Sequence, residues 1–287
     1  MTAHVPVKDD FILGALLAKQ RAAFLRDGPP SAAQRRADLR KLKRALLTRR
    51  PQFEAAISKD FGYRSAYETR IMELIPIIQA INYLRRNLAK WMRPERRRVS
   101  LHFIPGQARV YYQPLGVVGI VSPWNYPLSL AVMPLLSAIA AGNRAILKPS
   151  ELTPATTELL KSTLRDIFPE DQVAVVSGGP ELGAAFSRLP FDHLVFTGSS
   201  NVGRMVMKEA AEHLVPVTLE LGGKSPTLIG PDADIETAAG SVAYGKLANA
   251  GQTCIAPDYV LIHEKDAATF VAFYDAAAEA FYPAGAA

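Results

Sequence analysis

The sequence contains one cysteine, Cys254, among 287 residues. A disulfide within the chain is therefore impossible, and a zinc site built from several cysteines is excluded. The histidines also lack the HxH or HxxxH spacing of metal-binding pairs, so we predict no metal site. There are five of them: His4, His102, His193, His213 and His263.

Long apolar runs are missing as well. No stretch of about 18 apolar residues occurs, which argues against a transmembrane helix. The first twenty residues, with Lys8, Asp9 and Asp10 ahead of a short apolar stretch, lack the layout of a secretory signal. We therefore expect a cytoplasmic protein that does not bind membranes.

Charge is present but unevenly distributed. Residues 1–98 carry 22 Lys and Arg against 9 Asp and Glu, whereas the remainder carries 11 against 18. Such a basic segment can bind nucleic acid or an anionic membrane. However, its charges alternate with apolar residues at helical spacing over 32–57 and not with aromatic residues that could stack on bases. We favour a solvated helix face and expect no nucleic-acid partner.

The pattern along the chain predicts helices over the first hundred residues, ending before Pro94. A partly polar β-hairpin that projects from the body is predicted next, with strands at 99–103 and 108–112. From Gly116 onward, short apolar strands alternate with helical segments, which predicts an open, mostly parallel, doubly wound α/β sheet. The predicted strands are 116–121, 145–148, 173–176, 193–196, 217–221, 226–229 and 259–262.

Two domains are expected on this basis. Residues 1–219 form the N-terminal helices and a nucleotide-binding domain with the hairpin near 99–112. Residues 220–287 begin a second α/β domain that has too few elements to be complete. In open parallel sheets, ligands bind at the carboxyl ends of the strands, so the loops that follow the strands are the places to look for a site.

Three of these loops carry candidate binding groups. Asn125 follows the first strand between two prolines, where a rigidly held amide can stabilise an oxyanion or simply occupy a turn. Lys148 and Glu151 can hold the hydroxyl groups of a ribose or form an ion pair. At 196–204 a glycine-containing turn leads into a helix whose free N–H groups suit a pyrophosphate, although the segment is not a GxGxxG motif.

Two further residues are candidates for covalent chemistry. Glu220 stands at the end of an apolar strand, and burial there would raise its pKa toward the range of a general base. Cys254 lies in a glycine-containing turn just after a helix. A lone cysteine is commonly an inert core residue, but a turn between polar residues is less suited to that role.

Taken together, these segments resemble the aldehyde dehydrogenase superfamily over nearly the whole chain from about Ala32. Within it, residues 113–127 and 249–260 are similar to the class 3 branch and to bacterial coniferyl aldehyde dehydrogenases, which oxidise aromatic and related apolar aldehydes. The matching motifs are PWNYP at 123–127, KPSE at 148–151, FTGS at 196–199, LELGGKSP at 219–226 and GQTC at 251–254.

The resemblance implies a catalytic cysteine at 254, a general base at Glu220 and an oxyanion donor at Asn125. It also implies oxidation of an aldehyde to its acid through a cysteine thioester. NAD is the expected cofactor, since the Glu151 carboxylate would repel a 2′-phosphate, but NADP stays possible. The implied cofactor-binding residues are Ser122, Trp124, Lys148, Ser150, Glu151, Gly198, Ser199, Gly203 and Leu221.

One departure from the family pattern concerns the end of the chain. The resemblance implies a later Glu-x-Phe-Gly-Pro motif that binds the nicotinamide ribose, and nothing after Cys254 matches it. We therefore expect a truncated gene product that alone is weakly active or inactive. Family members form homodimers, in which the hairpin takes part. We do not expect a dimer here, because the C-terminal partner strand is missing.

Two alternatives stay open. One is an acylating dehydrogenase that passes the acyl group to coenzyme A instead of water, which Glu220 in the general-base position disfavours. The other is a non-catalytic interaction protein that uses the basic N-terminal third. The presence of every catalytic residue type speaks against that possibility.

Overall fold

The computed structural model describes residues 8–283. The chain divides into two compact units, Met1–Glu220 and Leu221–Ala287. The helices are α1 (Lys8–Asp27), α2 (Ala32–Thr48), α3 (Arg50–Asp60), α4 (Ala66–Thr69), α5 (Ile75–Trp91), α6 (Ser129–Ala141), α7 (Pro154–Arg165), α8 (Pro180–Ser187), α9 (Ser200–Ala211), α10 (Ile235–Leu247) and α11 (Glu264–Phe281). The strands are β1 (Glu95–Arg97), β2 (Ala108–Val110), β3 (Val117–Val121), β4 (Arg144–Lys148), β5 (Val173–Val175), β6 (His193–Gly198), β7 (Val217–Leu221), β8 (Ser225–Leu228) and β9 (Pro257–Leu261).

The larger unit is built around a five-stranded sheet with the order β5-β4-β3-β6-β7. The β3–β4, β3–β6 and β4–β5 pairs are parallel. β4 is buried along its whole length and β3 along all but its last residue, as expected of inner strands that are covered on both faces. The predicted α/β fold with a mostly parallel sheet is therefore confirmed.

The N-terminal helices pack against this sheet through the apolar stripe predicted at 32–57. Leu39, Leu42 and Leu46 of α2 are fully buried in the same core as α5, α6 and β4. Ser31 caps α2 by accepting a hydrogen bond from the backbone N–H of Gln34. Leu47 is an exception to the predicted stripe, because it lies one position beyond Leu46 and faces solvent.

The basic side chains of this layer are less solvated than we predicted. Arg35 is buried, and its guanidinium donates to the backbone oxygens of Pro30, Ala140 and Ala141. Arg49 likewise contacts α7, through hydrogen bonds to Ser162 and Thr163 and an ion pair with Asp166. These two arginines join helices to one another, a role that composition and periodicity do not show.

The exposed two-stranded ribbon differs from the predicted hairpin. β1 is antiparallel to β2, with Glu95 opposite Val110, whereas the predicted first strand at 99–103 is wrong. Residues Leu101–Phe103 form a short 3-10 turn instead. The apolar content of 99–103 suggested a strand, but pairing in this exposed ribbon starts at Glu95, which also accepts a hydrogen bond from Tyr112 Oη at 3.1 Å.

Helix α7 starts differently from the sequence expectation. A threonine followed by a proline is a common start of a helix, and Thr153 is indeed at the N-cap position with Pro154 in the first turn, yet the Thr153 side chain makes no capping bond. Asp60, at the end of α3, accepts hydrogen bonds from the backbone N–H groups of Ala155 and Thr156 at 2.9 and 2.8 Å. A residue more than ninety positions away therefore supplies the cap.

Removing this cap should destabilise the larger unit. We expect Asp60→Ala to lower the free energy of unfolding by about 1–2 kcal/mol, since two N–H groups lose their acceptor. Asp60→Asn keeps a side-chain oxygen and should retain most of that stability. Urea denaturation followed by circular dichroism measures both, with Glu158→Ala, at an exposed position of α7, as the control. An Asp60→Ala midpoint equal to the control would contradict the assignment.

His193 gives the fold a pH dependence of known sign. Its Nε2 lies 2.9 Å from Thr218 Oγ1 on β7, and burial lowers the pKa of His193. The unfolded chain therefore binds a proton at a higher pH than the folded chain does, so stability falls as pH drops through about 6.5. We expect the urea midpoint to decrease more between pH 7.5 and 5.5 in the wild type than in His193→Gln. Equal decreases of the urea midpoint in both proteins would show that His193 does not cause the pH dependence.

The smaller unit contains the parallel pair β8 and β9 with α10 and α11, among the described residues. Its small core includes Ile229, Ala239, Val242 and Phe270. Asp234 starts α10 by accepting hydrogen bonds from the N–H groups of Glu236 and Thr237. No helix within residues 8–283 is long and apolar enough to cross a membrane.

Candidate active site

The topology brings three of the predicted loops to one edge of the sheet. Within the five-stranded sheet, β3 is the central strand. β4 and then β5 are added on one side of β3, and β6 and then β7 are added on its other side. Val121, the last residue of β3, is paired with both Lys148 and Phe196. The loops after β3 and β4 therefore begin at the same level, and β6 extends two residues further, to Gly198, at the same edge of the sheet. This is the edge at which open α/β sheets bind ligands.

The loop after β3 contains Ser122, Trp124 and Asn125. The Ser122 N–H donates to the Lys148 backbone oxygen at 3.2 Å, which ties this loop to β4. The Ser122 hydroxyl is buried and has no hydrogen-bond partner within the described residues. Trp124 is partly exposed, with its ring centroid 6.3 Å from that of Phe61, and Asn125 is half-buried.

Lys148 and Glu151 form an ion pair at the end of β4, with Nζ and Oε2 2.6 Å apart. Lys148 is buried, whereas Glu151 is about one-third exposed. Burial acts to raise the pKa of Glu151 and is the largest single influence on it. The hydrogen bond and charge of Lys148, together with a hydrogen bond from the Glu151 backbone N–H, outweigh burial and hold the pKa below the ordinary value. Ser150, between them, is buried and accepts a hydrogen bond from the Leu152 N–H.

The turn after β6 matches the predicted strand–turn–helix arrangement. A Cβ at position 198 would lie 2.6 Å from the end of the Phe196 ring, so a larger residue here would have to displace that ring. Ser199 caps α9 by accepting from the Val202 N–H, and the Gly203 N–H bonds back to the Ser199 oxygen. The first N–H groups of a helix lack intrahelical partners and can bind an anion.

Glu220 does not have the buried environment that we predicted. It is exposed on β7, the last strand in the sheet order, whereas Leu219 and Leu221 are half-buried. Successive side chains of a strand point to opposite faces, and Glu220 shares the exposed face with Thr218. The expected burial of this carboxylate is therefore wrong for the described structure. Leu221 is the first residue of the smaller unit.

Cys254 lies at the surface of the smaller unit. It follows an unusual turn in which Asn249, Ala250 and Gly251 all have positive φ, of 52°, 53° and 74°. Non-glycine residues in this conformation store strain, which is common at functional sites. The exposure of the thiol excludes the alternative that it is an inert core residue. A Cβ on Gly223 would lie 3.3 Å from the Cys254 backbone oxygen, so the glycine pair at 222–223 passes close to this turn.

The predicted site residues thus fall in both units. Asn125, the cofactor-site candidates from Ser122 to Gly203, and Glu220 belong to the larger unit, and Leu221 and Cys254 to the smaller. That Asn125, Glu220 and Cys254 share one cleft stays a prediction. The described residues contain no group of three His, Cys, Asp or Glu side chains that could hold a metal ion.

The edge of the larger unit carries polar groups of the kind that bind a nucleotide. Ser122 offers a buried hydroxyl without a partner, Lys148 and Glu151 offer a cation and a carboxylate, and the start of α9 offers N–H groups. These are the donors and acceptors that a ribose and a pyrophosphate need.

Sequence reasoning missed two residues close to this edge, Arg64 and Glu73. They form a buried ion pair beside the loop that carries Asn125. The signal was a single carboxylate inside the apolar run at 71–78. Such a carboxylate requires a partner, but the sequence does not show which residue supplies it.

Comparison with known proteins decides the family. A family model described as the aldehyde dehydrogenase family matches residues 3–286. The chain belongs to the aldehyde dehydrogenase family. The predicted membership and the likeness to coniferyl aldehyde dehydrogenases are both confirmed. The chain is 52% identical to a probable coniferyl aldehyde dehydrogenase of Pseudomonas aeruginosa, over 94% of its own length and 57% of the relative's. It is 45% identical to a coniferyl aldehyde dehydrogenase of a Pseudomonas species, over 94% and 56%.

A solved structure of an aldehyde dehydrogenase agrees with this assignment. The Mycobacterium tuberculosis aldehyde dehydrogenase complexed with NAD⁺ has a TM-score of 0.85 and 34% identity to this chain. The match covers 95% of this chain and 56% of that structure. The chain therefore spans a little more than half the length of the aldehyde dehydrogenases that it matches.

Proposed function

We propose that this chain contributes the nucleotide-binding edge and the nucleophile of an NAD(P)-dependent aldehyde dehydrogenase. The observation that carries the proposal is the register in which Val121 pairs with both Lys148 and Phe196. This register places the three predicted cofactor loops at one edge of the sheet. Family membership supports the same conclusion independently of that geometry.

The proposed reaction begins at the exposed thiol. Cys254, as the thiolate, attacks the aldehyde carbon and forms a new C–S bond, while the carbonyl oxygen becomes an oxyanion. The Asn125 side-chain amide and the Cys254 backbone N–H donate hydrogen bonds to that oxyanion. When bound, NAD(P)⁺ supplies the acceptor for the hydride that leaves the aldehyde carbon.

Loss of the hydride leaves a thioester on Cys254. Glu220 then takes a proton from a water molecule, whose oxygen attacks the thioester carbon. The C–S bond breaks, the carboxylic acid leaves, and the thiolate is restored. Overall, the aldehyde is oxidised by two electrons and the cofactor is reduced by the same number.

The cofactor is assigned to the loops of the larger unit. Lys148 and Glu151 bind the adenosine ribose, Ser199 and the start of α9 meet the pyrophosphate, and Ser122 and Trp124 line the loop beside them. The lowered pKa of Glu151 keeps its carboxylate ionised at neutral pH. We therefore propose NAD as the preferred cofactor, because this charge repels a 2′-phosphate. The NAD⁺ bound to the Mycobacterium tuberculosis neighbour supports this choice.

The substrate class is proposed from the relatives. Two of them carry the name coniferyl aldehyde dehydrogenase, which favours an aromatic or similarly apolar aldehyde. We also propose a cytoplasmic location and no nucleic-acid partner, as the sequence predicts.

A combined binding and product assay tests the function. Calorimetric titration of the purified chain with NAD⁺ and NADP⁺ should give tighter binding of NAD⁺, and Glu151→Gln should narrow that difference. Incubation with coniferyl aldehyde and NAD⁺ should yield the corresponding acid, quantified by chromatography. Failure to bind either nucleotide, together with no acid at stoichiometric enzyme concentration, would rule the proposal out.

A further inference from the structure

A buried ion pair that the proposed mechanism does not use lies beside the Asn125 loop. Arg64 Nη1 is 2.9 Å from Glu73 Oε1, and the two side chains are 2% and 0% exposed. Arg64 is in the segment between α3 and α4, and Glu73 is in a π-helical turn, Arg70–Leu74, that precedes α5. Such turns widen the helical repeat locally and are frequent at functional sites.

This pair contacts both ends of the loop. The Glu73 Oε2 atom accepts hydrogen bonds from the backbone N–H groups of Leu128 and Ser129, at 2.8 and 2.9 Å, where α6 begins. Arg64 Nη1 donates to the Asn125 backbone oxygen over 3.5 Å. One ion pair therefore holds the backbone on both sides of residues 126–127.

Aromatic rings surround the Arg64 guanidinium. Its Cζ lies 5.0 Å from the ring centroids of both Phe61 and Tyr126. Phe61 in turn contacts the Trp124 ring. The planar guanidinium is thus fixed by a ring from the loop itself and by a second ring that supports Trp124.

A buried ion pair contributes little net stability to a fold. Removing two charges from water carries a large penalty that their attraction only partly offsets. Burial raises the pKa of Glu73, although Arg64 and the two backbone donors oppose this. Arg64 Nε and Nη2 are also buried without a hydrogen-bond partner within the described residues. What the pair provides instead is a defined position for the backbone that it contacts.

We propose that Arg64 and Glu73 are positioning residues that set the location of the Asn125 amide by fixing the loop from Pro123 to Leu128. The catalytic part of this inference rests on the proposed function, in which that amide holds the oxyanion. A displacement of about 1 Å at a reacting centre can cost up to 10²-fold in rate. The pair therefore acts on turnover through Asn125 without touching the substrate.

The loop position can be measured without any enzyme activity. The chain has two tryptophans, Trp91 and Trp124, so Trp91→Phe leaves Trp124 as the sole reporter. In that background, Glu73→Gln keeps an oxygen for the Leu128 and Ser129 N–H groups but removes the carboxylate that neutralises Arg64. The double variant Arg64→Met/Glu73→Gln removes both charges and serves if the single variant does not fold. Glu54→Gln, which breaks the neighbouring Glu54–Arg70 ion pair, is the matched control.

We expect Glu73→Gln and the double variant to shift the Trp124 emission to longer wavelength and to increase its quenching by acrylamide. Glu54→Gln should leave both signals at their starting values. In the acid-forming assay, kcat should fall between about tenfold and 10²-fold, with the aldehyde KM unchanged. In an Asn125→Ala background, Glu73→Gln should cause no further loss of kcat.

Unchanged Trp124 signals in folded variants would overturn the proposal, whatever the activity. A loss in KM instead of kcat, or an equal loss of kcat with Asn125 already removed, would also overturn it. If the wild-type chain neither binds nucleotide nor forms acid, the proposed function fails separately. The Trp124 signals alone then decide whether the pair positions the loop.

Discussion

Replacing Cys254 with alanine is expected to abolish acid formation from aldehydes, because no thioester can form without the nucleophile. Other covalent enzymes lose on the order of 10⁶-fold in rate when their nucleophile is removed, so the residual activity of this variant should lie below detection. The sequence contains no second thiol that could substitute. Intact-mass measurement after incubation with aldehyde and NAD⁺ should detect an acyl adduct on the wild type and none on Cys254→Ala. Native titration with a thiol reagent should likewise count one reactive group and then none.

The control for this experiment is Glu279→Gln. Glu279 is an exposed residue of α11 in the same unit as Cys254, so this variant should retain both the adduct and the activity. Acid formation by Cys254→Ala within about tenfold of the wild type would show that the thiol is not the nucleophile.

Glu220→Gln should separate the two halves of the reaction. The amide cannot take a proton from water, so release of the acid should slow by about 10²- to 10⁴-fold. Hydride transfer does not require this carboxylate, so one equivalent of NADH should still form at the wild-type rate. The expected result is a burst of NADH followed by a slow phase, with the acyl adduct accumulating on Cys254.

The same variant addresses the acylating alternative. With coenzyme A added, the wild type should still release free acid as the main product. Rapid formation of acyl-CoA by both the wild type and Glu220→Gln would favour transfer to a thiol over hydrolysis. An unaltered rate of acid release in Glu220→Gln without coenzyme A would remove Glu220 from the mechanism.

Much of the sheet was predictable because its strands carry a strong local signal. The apolar run ending at Val121 is of strand length, and the glycine-containing turn at 196–204 marks where β6 ends and α9 begins. Strands β3 to β9 lie within a few residues of their predicted bounds, and helices occupy the segments between most of them, as the predicted alternation requires. Parallel strands then place their following loops at one edge, which is a property of topology and needs no distant contact.

The sequence-based predictions were wrong or incomplete where contacts between distant residues, or the exposure of a side chain, determine the structure. Asp60 caps α7 from another helix, and the Arg64–Glu73 pair joins segments that no local pattern connects. Glu220 was expected to be buried because it ends an apolar strand, yet strand alternation places it on the exposed face. The ribbon formed by Glu95–Arg97 has too little apolar content for hydrophobicity to identify it.

The exposed position of Cys254 has a consequence for oxidation chemistry. Peroxide converts an accessible thiolate to a sulfenic acid, which is normally rescued when a neighbouring thiol condenses with it to form a disulfide. This chain has no other sulfhydryl group to act in that way. The oxidised sulfur can then be reduced only through a thiol from another molecule, and without one it forms a sulfenamide with a backbone nitrogen or proceeds to the irreversible sulfinic form. Purification therefore needs a small-molecule reductant throughout.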